Sequence, residues 1–186
     1  MPTMQKAIAR ATLQSAFLSL CSSLVATFLT PKKPPIVALV VYAILATPLN
    51  FLWQQYLERK FPGYHIEKQE ANGEVKGAQS AGGGVTIKRK LNVVNTLKKM
   101  VVEQTLGSMV NVALYLGGVR ALQGVPVAEC LQAVKTETWP LMAAGYKLWP
   151  FVSVLNHTLI PVEQRTVVGS LVGLGWGVFL ALRAAR

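Results

Sequence analysis

Aspartate is absent from this 186-residue chain, and only 15% of its residues are charged. A typical soluble domain carries about 25%. Long stretches have no charge at all, and little polar surface is left over. With no Asp and few Glu, paired acids for general acid–base chemistry cannot be found. The two histidines, His65 and His157, have no sequence neighbours that would complete a triad or a metal site. The two cysteines, Cys21 and Cys130, form no CxxC or Cys/His cluster, which argues against zinc and for buried free thiols. The one glycine run, Gly82–Gly84, belongs to neither a GxGxxG nor a Walker pattern, so it reads as linker rather than phosphate cradle. These absences predict no catalytic centre, no cofactor and no metal. The first 30 residues pass from basic to apolar without a clear small-residue cleavage site, so no cleavable signal peptide is expected.

What the chain does contain is apolar. Hydrophobic residues make up 52% and the mean hydropathy is +0.38. A bilayer-crossing helix needs about 20 mostly apolar residues. Ile36–Trp53 meets this without a charge, and Thr166–Leu182 nearly matches it. Ala11–Leu29 is also charge-free but rich in Ser and Thr, whose hydroxyls can bond back to their own helix. That composition suits a helix facing protein rather than lipid. Met100–Leu122 is apolar except for Glu103, Gln104, Asn111 and Arg120. Leu141–Ile160 holds Lys147, Trp149-Pro150, Asn156 and His157, and reads as embedded but broken, or as a helix packed inside the bundle. The expected fold is therefore all-α: an integral membrane helical bundle of about four transmembrane helices plus a broken or interfacial helix near 127–157. It forms a single membrane domain over 1–186. Residues 58–99 are polar and basic, and are expected to form a flexible loop and a helix entry between the second and third spans.

The net charge of +11 would also suit a nucleic-acid binder. Here, however, Lys and Arg sit between apolar stretches, which is the juxtamembrane pattern, so nucleic acid is not an expected partner. Lys6 and Arg10 precede the first span and nine basic residues lie from Arg59 to Lys99, against Lys32, Lys33 and Arg120 on the other side. Four crossings would place both termini and the basic loop together, facing the cytosol or matrix.

Gly169, Gly173 and Gly177 recur every four residues in the last span. Such a stripe lets another backbone approach closely, either within the bundle or in a homo-oligomer. Ionisable groups within apolar segments tend to line interiors or water-filled paths, or to snorkel to the headgroups. Glu103 paired with Lys147 or Arg165 is the internal bridge this pattern suggests. Trp53, Trp139, Trp149 and Trp176 fall at the ends or breaks of apolar stretches, where indoles favour the interface.

Several motifs carry a family resemblance. They are Trp139-Pro140, then Gly145 through Trp149-Pro150 to Asn156, then Pro161 and Arg165, and finally Trp176. Upstream stand Pro48-Leu49-Asn50-Phe51-Leu52-Trp53 with Phe61-Pro62-Gly63, and Lys99 with Glu103-Gln104. In order and over most of the chain, these resemble the peroxisomal membrane protein twenty-two / Mpv-seventeen family. The chain departs in having His157 where the family usually has Phe, Glu103 for the usual Asp, and no Gly-Asp…Gln in the first span. The resemblance implies a small four-span protein of the peroxisomal membrane, or alternatively the mitochondrial inner membrane. It implies a pore for small solutes, often as a homo-oligomer, with no chemistry. Peroxisomal delivery would add a membrane-protein import receptor reading basic segments such as Lys88-Arg89-Lys90. A non-conducting protein that recruits partners through the 58–99 loop is the alternative. The candidate pathway residues are then Pro48, Trp53, Glu103, Gln104, Asn111, Trp139, Pro140, Lys147, Trp149, Pro150, Asn156, Pro161, Arg165 and Trp176.

Overall fold

The computed structural model describes residues 2–69, 86–158 and 162–185, with side chains over 4–63, 92–155 and 171–185. Seven α-helices and one strand pair occur among them. They are α1 (Pro2–Leu29), α2 (Ile36–Lys60), β1 (Tyr64–Gln69), β2 (Thr86–Leu91), α3 (Val93–Val102), α4 (Ser108–Leu122), α5 (Val127–Gly145), α6 (Trp149–Thr158) and α7 (Val162–Ala184). A π-helical turn, Glu103–Gly107, joins α3 to α4. The chain is thus a helical bundle, as expected. The Gly82–Gly84 run and Pro161 lie outside the described residues.

α1 and α2 each contain a stretch long and apolar enough to cross a membrane, with mean hydropathy 1.5 and 2.1. Their apolar side chains point outward: Leu13 is 74% exposed, Phe28 88% and Val37 77%. Ser22 and Ser23, by contrast, are buried. Water would favour the reverse arrangement, and exposed apolar surface on this scale marks contact with lipid or protein. The hydroxyls of α1 bond back as anticipated. Thr12 donates to the Ile8 carbonyl at 2.9 Å, Ser23 to Ser19 at 2.8 Å and Thr27 to Ser23 at 2.8 Å.

The helices pack as a ring. α1 lies between α2 and α7, α2 packs on α4, and α4 packs on α5. Glu137 of α5 reaches Arg183 of α7 at 3.4 Å and so closes the circle. Pro48 sits inside α2 and Pro140 inside α5. Thr47 donates to Ala43 (2.6 Å), and Thr136 to Gln132 (3.0 Å), in the turns where each proline withholds a donor. The break expected near Trp149-Pro150 is present and falls before the proline, at Tyr146–Leu148, and Pro150 occupies the first turn of α6. There its missing N–H costs nothing.

Two expectations are corrected. The polar 58–99 segment is more than a loop and helix entry: β1 and β2 pair antiparallel, with Glu67 opposite Lys88. The Phe61-Pro62-Gly63 turn docks on α3, where Asn92 N–H donates to the Gly63 carbonyl at 2.9 Å and Asn95 Nδ2 to Pro62 at 3.2 Å. Lys99, buried, pairs with Glu58 across this junction.

The second correction concerns direction. Ser22 meets Leu174 and Gly177, and Ala26 and Ala181 share the apolar core further along, so α1 and α7 run parallel. The other contacts agree. Gln54–Glu103 with Tyr42–Tyr115 makes α2 and α4 antiparallel, and Tyr146–Gln104 with Arg120–Glu137 does the same for α4 and α5. The broken 127–158 segment therefore makes its own traverse, and the two termini lie at opposite ends. The N-terminal end, which also carries the basic hairpin, should face the cytosol or matrix. Epitope tags on the two termini of the full chain, probed in intact organelles, should be accessible from opposite sides. Tags protected or accessible together would contradict this arrangement.

Candidate functional site: a polar cavity in the bundle

The ring surrounds a cavity of about 890 Å³ that is open at the end near Gln54 and Glu103. α1 contributes Gln14, Ser15, Ser19, Ser22 and Ser23, one face of the Ser-rich stretch. α2 adds Tyr42, Thr47, Asn50, Trp53 and Gln54. The π turn adds Glu103, Gln104 and Gly107, and α4 adds Ser108, Asn111 and Tyr115. Gly145, Trp149, Ser153, Gly173, Trp176 and Gly177 complete the wall from α5, α6 and α7. A π turn adds one residue to the local helical ring, a device frequently found at functional sites.

The polar groups are largely tied to the wall. Tyr115 OH donates to the Leu180 carbonyl at 3.0 Å, Tyr146 OH to Gln104 at 2.7 Å and Asn111 Nδ2 to Gly107 at 3.2 Å. Glu103 accepts a hydrogen bond from Gln54 Nε2. It does not pair with Lys147, which lies exposed at the helix break and off the cavity wall. Glu103 is the one carboxylate among the described lining residues, and no Lys, Arg or His joins it there.

At the end where α4 and α7 terminate, the cavity stops. Ala26, Ala38, Leu39, Tyr115, Leu116, Val119, Leu141 and Ala181 form a buried apolar cluster. Tyr42 and Tyr115 meet edge to face there, with ring centroids 5.7 Å apart. Beside the cluster, Glu137 joins Arg120 at 2.5 Å and Arg183 at 3.4 Å, binding α4, α5 and α7 into one ionic unit.

The other sequence candidates separate clearly. Trp53, Gln104, Trp149 and Trp176 line the cavity with Glu103. Trp149 meets Trp176 edge to face at 5.9 Å, and Trp176 stacks on Phe179 at 4.8 Å. Trp53 packs against Gly107, where a Cβ would come within 3.1 Å of its Nε1. Pro48 and Pro150 shape helices without lining the wall, and Trp139 and Pro140 are exposed on the outside. The side chains of Asn156 and Arg165, and position 169, lie outside the described side chains. In the glycine stripe, Gly173 has nothing within 4 Å of its notional Cβ, while Gly177 abuts Ser22 of the same chain. Sequence reading missed the polar face of α1, whose Ser residues carry no family motif. It also missed the Glu137 cluster, because contacts between distant helices leave no local signal.

A helical membrane bundle with a polar interior is the class this geometry defines. The comparisons name it more closely. The Mpv17 / PMP22 family model matches residues 120–181. The chain is 26% identical to PXMP2/4 family protein 3 of Dictyostelium discoideum, over 97% of this chain and 86% of that one. It is 29% identical to the Mpv17-like protein of Bos taurus, over 77% of this chain but only 58% of that one. It is 26% identical to the mitochondrial inner membrane protein Mpv17 of Danio rerio, over 85% and 94%. No solved structure matches. The chain is similar to the Mpv17 / PMP22 family, through the model over residues 120–181 and through relatives along most of its length. It is an organelle-membrane protein, of the peroxisomal or the mitochondrial inner membrane.

The tightest seam around the cavity is Ser22 against Gly177. Ser22 Oγ donates to the Leu174 carbonyl at 3.1 Å, and a Cβ on Gly177 would fall 2.5 Å from that oxygen. Gly177→Ala should therefore destabilise the bundle by about 1–3 kcal/mol. A lowered thermal midpoint of the purified protein in detergent would report it. Adding Ser22→Gly should recover part of the loss, and no recovery would show that the clash lies elsewhere.

Proposed function

We propose that this protein provides a pathway for small solutes through the peroxisomal membrane, with the cavity as its inner vestibule. The observation that carries this reading is the polar wall itself. Five elements turn hydroxyls, amides and one carboxylate inward while apolar side chains face out. The polar side chains left unpaired among the described residues, Asn50, Gln104 and Ser108 included, are costly there unless water or solute meets them. The apolar cluster at one end acts as the closed gate, so conduction requires it to part. The glycine stripe offers a homo-oligomer contact, and the basic hairpin suits a peroxisomal import receptor. The peroxisomal assignment follows the Pro48–Trp53 and Phe61–Gly63 motifs, and a tagged chain imaged against organelle markers tests it.

Reconstituted protein should show conductance with a preference for cations, because Glu103 is the described ionisable group on the wall. Glu103→Lys should reverse that preference, measured as a change in sign of the reversal potential in a salt gradient. Lys147→Leu, on the exterior, should leave it unchanged. Silent bilayers from folded protein across many preparations would count against a pathway. The closed end favours a second reading, a non-conducting protein that recruits partners through the 58–99 segment. Deleting residues 66–87 should then remove those partners, whereas a pathway should keep its flux.

A further inference from the structure

We infer that the cavity accepts small neutral polyhydroxylated solutes, of the polyol or monosaccharide class, in preference to anions, organic cations or apolar molecules. The inference rests on the same cavity as the pathway reading and specifies what it takes. Its volume, about 890 Å³, falls within the roughly 300–1,000 Å³ of ligand cavities.

The charge of the described residues disfavours the first class. A phosphate or carboxylate would leave water for a wall with no Lys, Arg or His among its described residues, and would meet the Glu103 carboxylate. Desolvating an anion without a cationic partner is strongly unfavourable. Most of the wall's exposed surface is apolar, but its unpaired polar side chains disfavour an apolar solute. The side chains of Asn50, Gln104 and Ser108 line the cavity and make no hydrogen bond among the described residues. An apolar occupant would strip their water and give nothing back.

An organic cation could sit over an indole. Glu103 is the one described counter-charge, so the cation is met at a single point and leaves the other polar side chains of the wall unmatched. A polyol meets none of these objections. Each hydroxyl both donates and accepts, as do the amides and hydroxyls of the wall. Hydroxyls that already donate, such as Tyr115 to Leu180, still have lone pairs to offer. Trp149 and Trp176, set edge to face in the same wall, present apolar indole surface to the C–H faces of such a molecule.

Three of the four tryptophans line the cavity, so their fluorescence reports occupancy. The full chain in detergent or nanodiscs should give a saturable change with sorbitol and none with equal osmolarities of potassium phosphate or choline chloride. Asn50→Leu and Gln104→Leu should each weaken the sorbitol response about tenfold, since each removes a pair of hydrogen bonds. A retained thermal midpoint would show that each variant is folded. If one variant fails to fold, the other and the unsubstituted protein still decide. No saturable sorbitol response, or an equal response to phosphate or choline, overturns the inference. Proteoliposome swelling in the same solutes is scored separately. Binding without swelling removes the pathway and leaves the inference standing. Swelling as fast in choline or phosphate as in sorbitol keeps the pathway and removes the preference.

Discussion

A bilayer core offers no hydrogen-bond partner, and every polar group placed at that depth must find one inside the protein. The rest of the structure follows from this constraint. Ser and Thr along α1 close on their own helix, so a segment rich in hydroxyls can still present Leu13, Phe17 and Phe28 outward. The groups that cannot close locally, among them Asn50, Gln104 and Ser108, face one shared cavity. The polar interior is the place where side chains unsuited to lipid are gathered, and a solute pathway uses the same arrangement.

Charge obeys the constraint more strictly. Lys99 is buried only because Glu58 meets it at the turn between α2 and α3. Glu137 is shared by two arginines near the other end. These pairs are only partly buried, and each ties neighbouring elements together through its charges. Between these two levels the wall's described residues are neutral except for Glu103. The π turn at Glu103–Gly107 places both Glu103 and Gln104 on the cavity side and sets Gly107 against Trp53.

The sequence made part of this legible. Ile36–Trp53 needed only its length and lack of charge, and Glu103 and Gln104 stood out as polar residues in an apolar run. The broken character of 141–160 was readable from Trp149-Pro150, but its phase was not. A break resets the helical period, so which way Lys147 faces depends on packing rather than spacing. The same break concealed an extra traverse and hence the direction of the C-terminus. The β1–β2 pair was hidden for a different reason: its strands are six residues each, and their basic and polar residues read as juxtamembrane charge. The Ser22–Gly177 seam joins positions 155 apart, and a glycine spacing cannot name the partner it was left small for.

The distribution of ties also says where a pathway would have to part. Ions hold α4, α5 and α7 together beside the closed end. α1 is tied to α7 by Ser22 and by the glycine that admits it. The α2–α4 seam is different. At the open end it has Gln54 on Glu103, but at the closed end its polar link is Tyr42 to the Asn111 carbonyl at 3.5 Å, the upper limit for such a bond. The remaining contacts there are apolar: Tyr42 against Tyr115 and Gly118, and small Ala38 within the cluster. In lipid, separating apolar surfaces forfeits packing rather than a hydrophobic driving force. Opening along α2–α4 therefore gives up less than opening any seam held by ions or by a short hydrogen bond. Within the cluster that closes the cavity, the α2 side is therefore the one held by neither ions nor a short hydrogen bond.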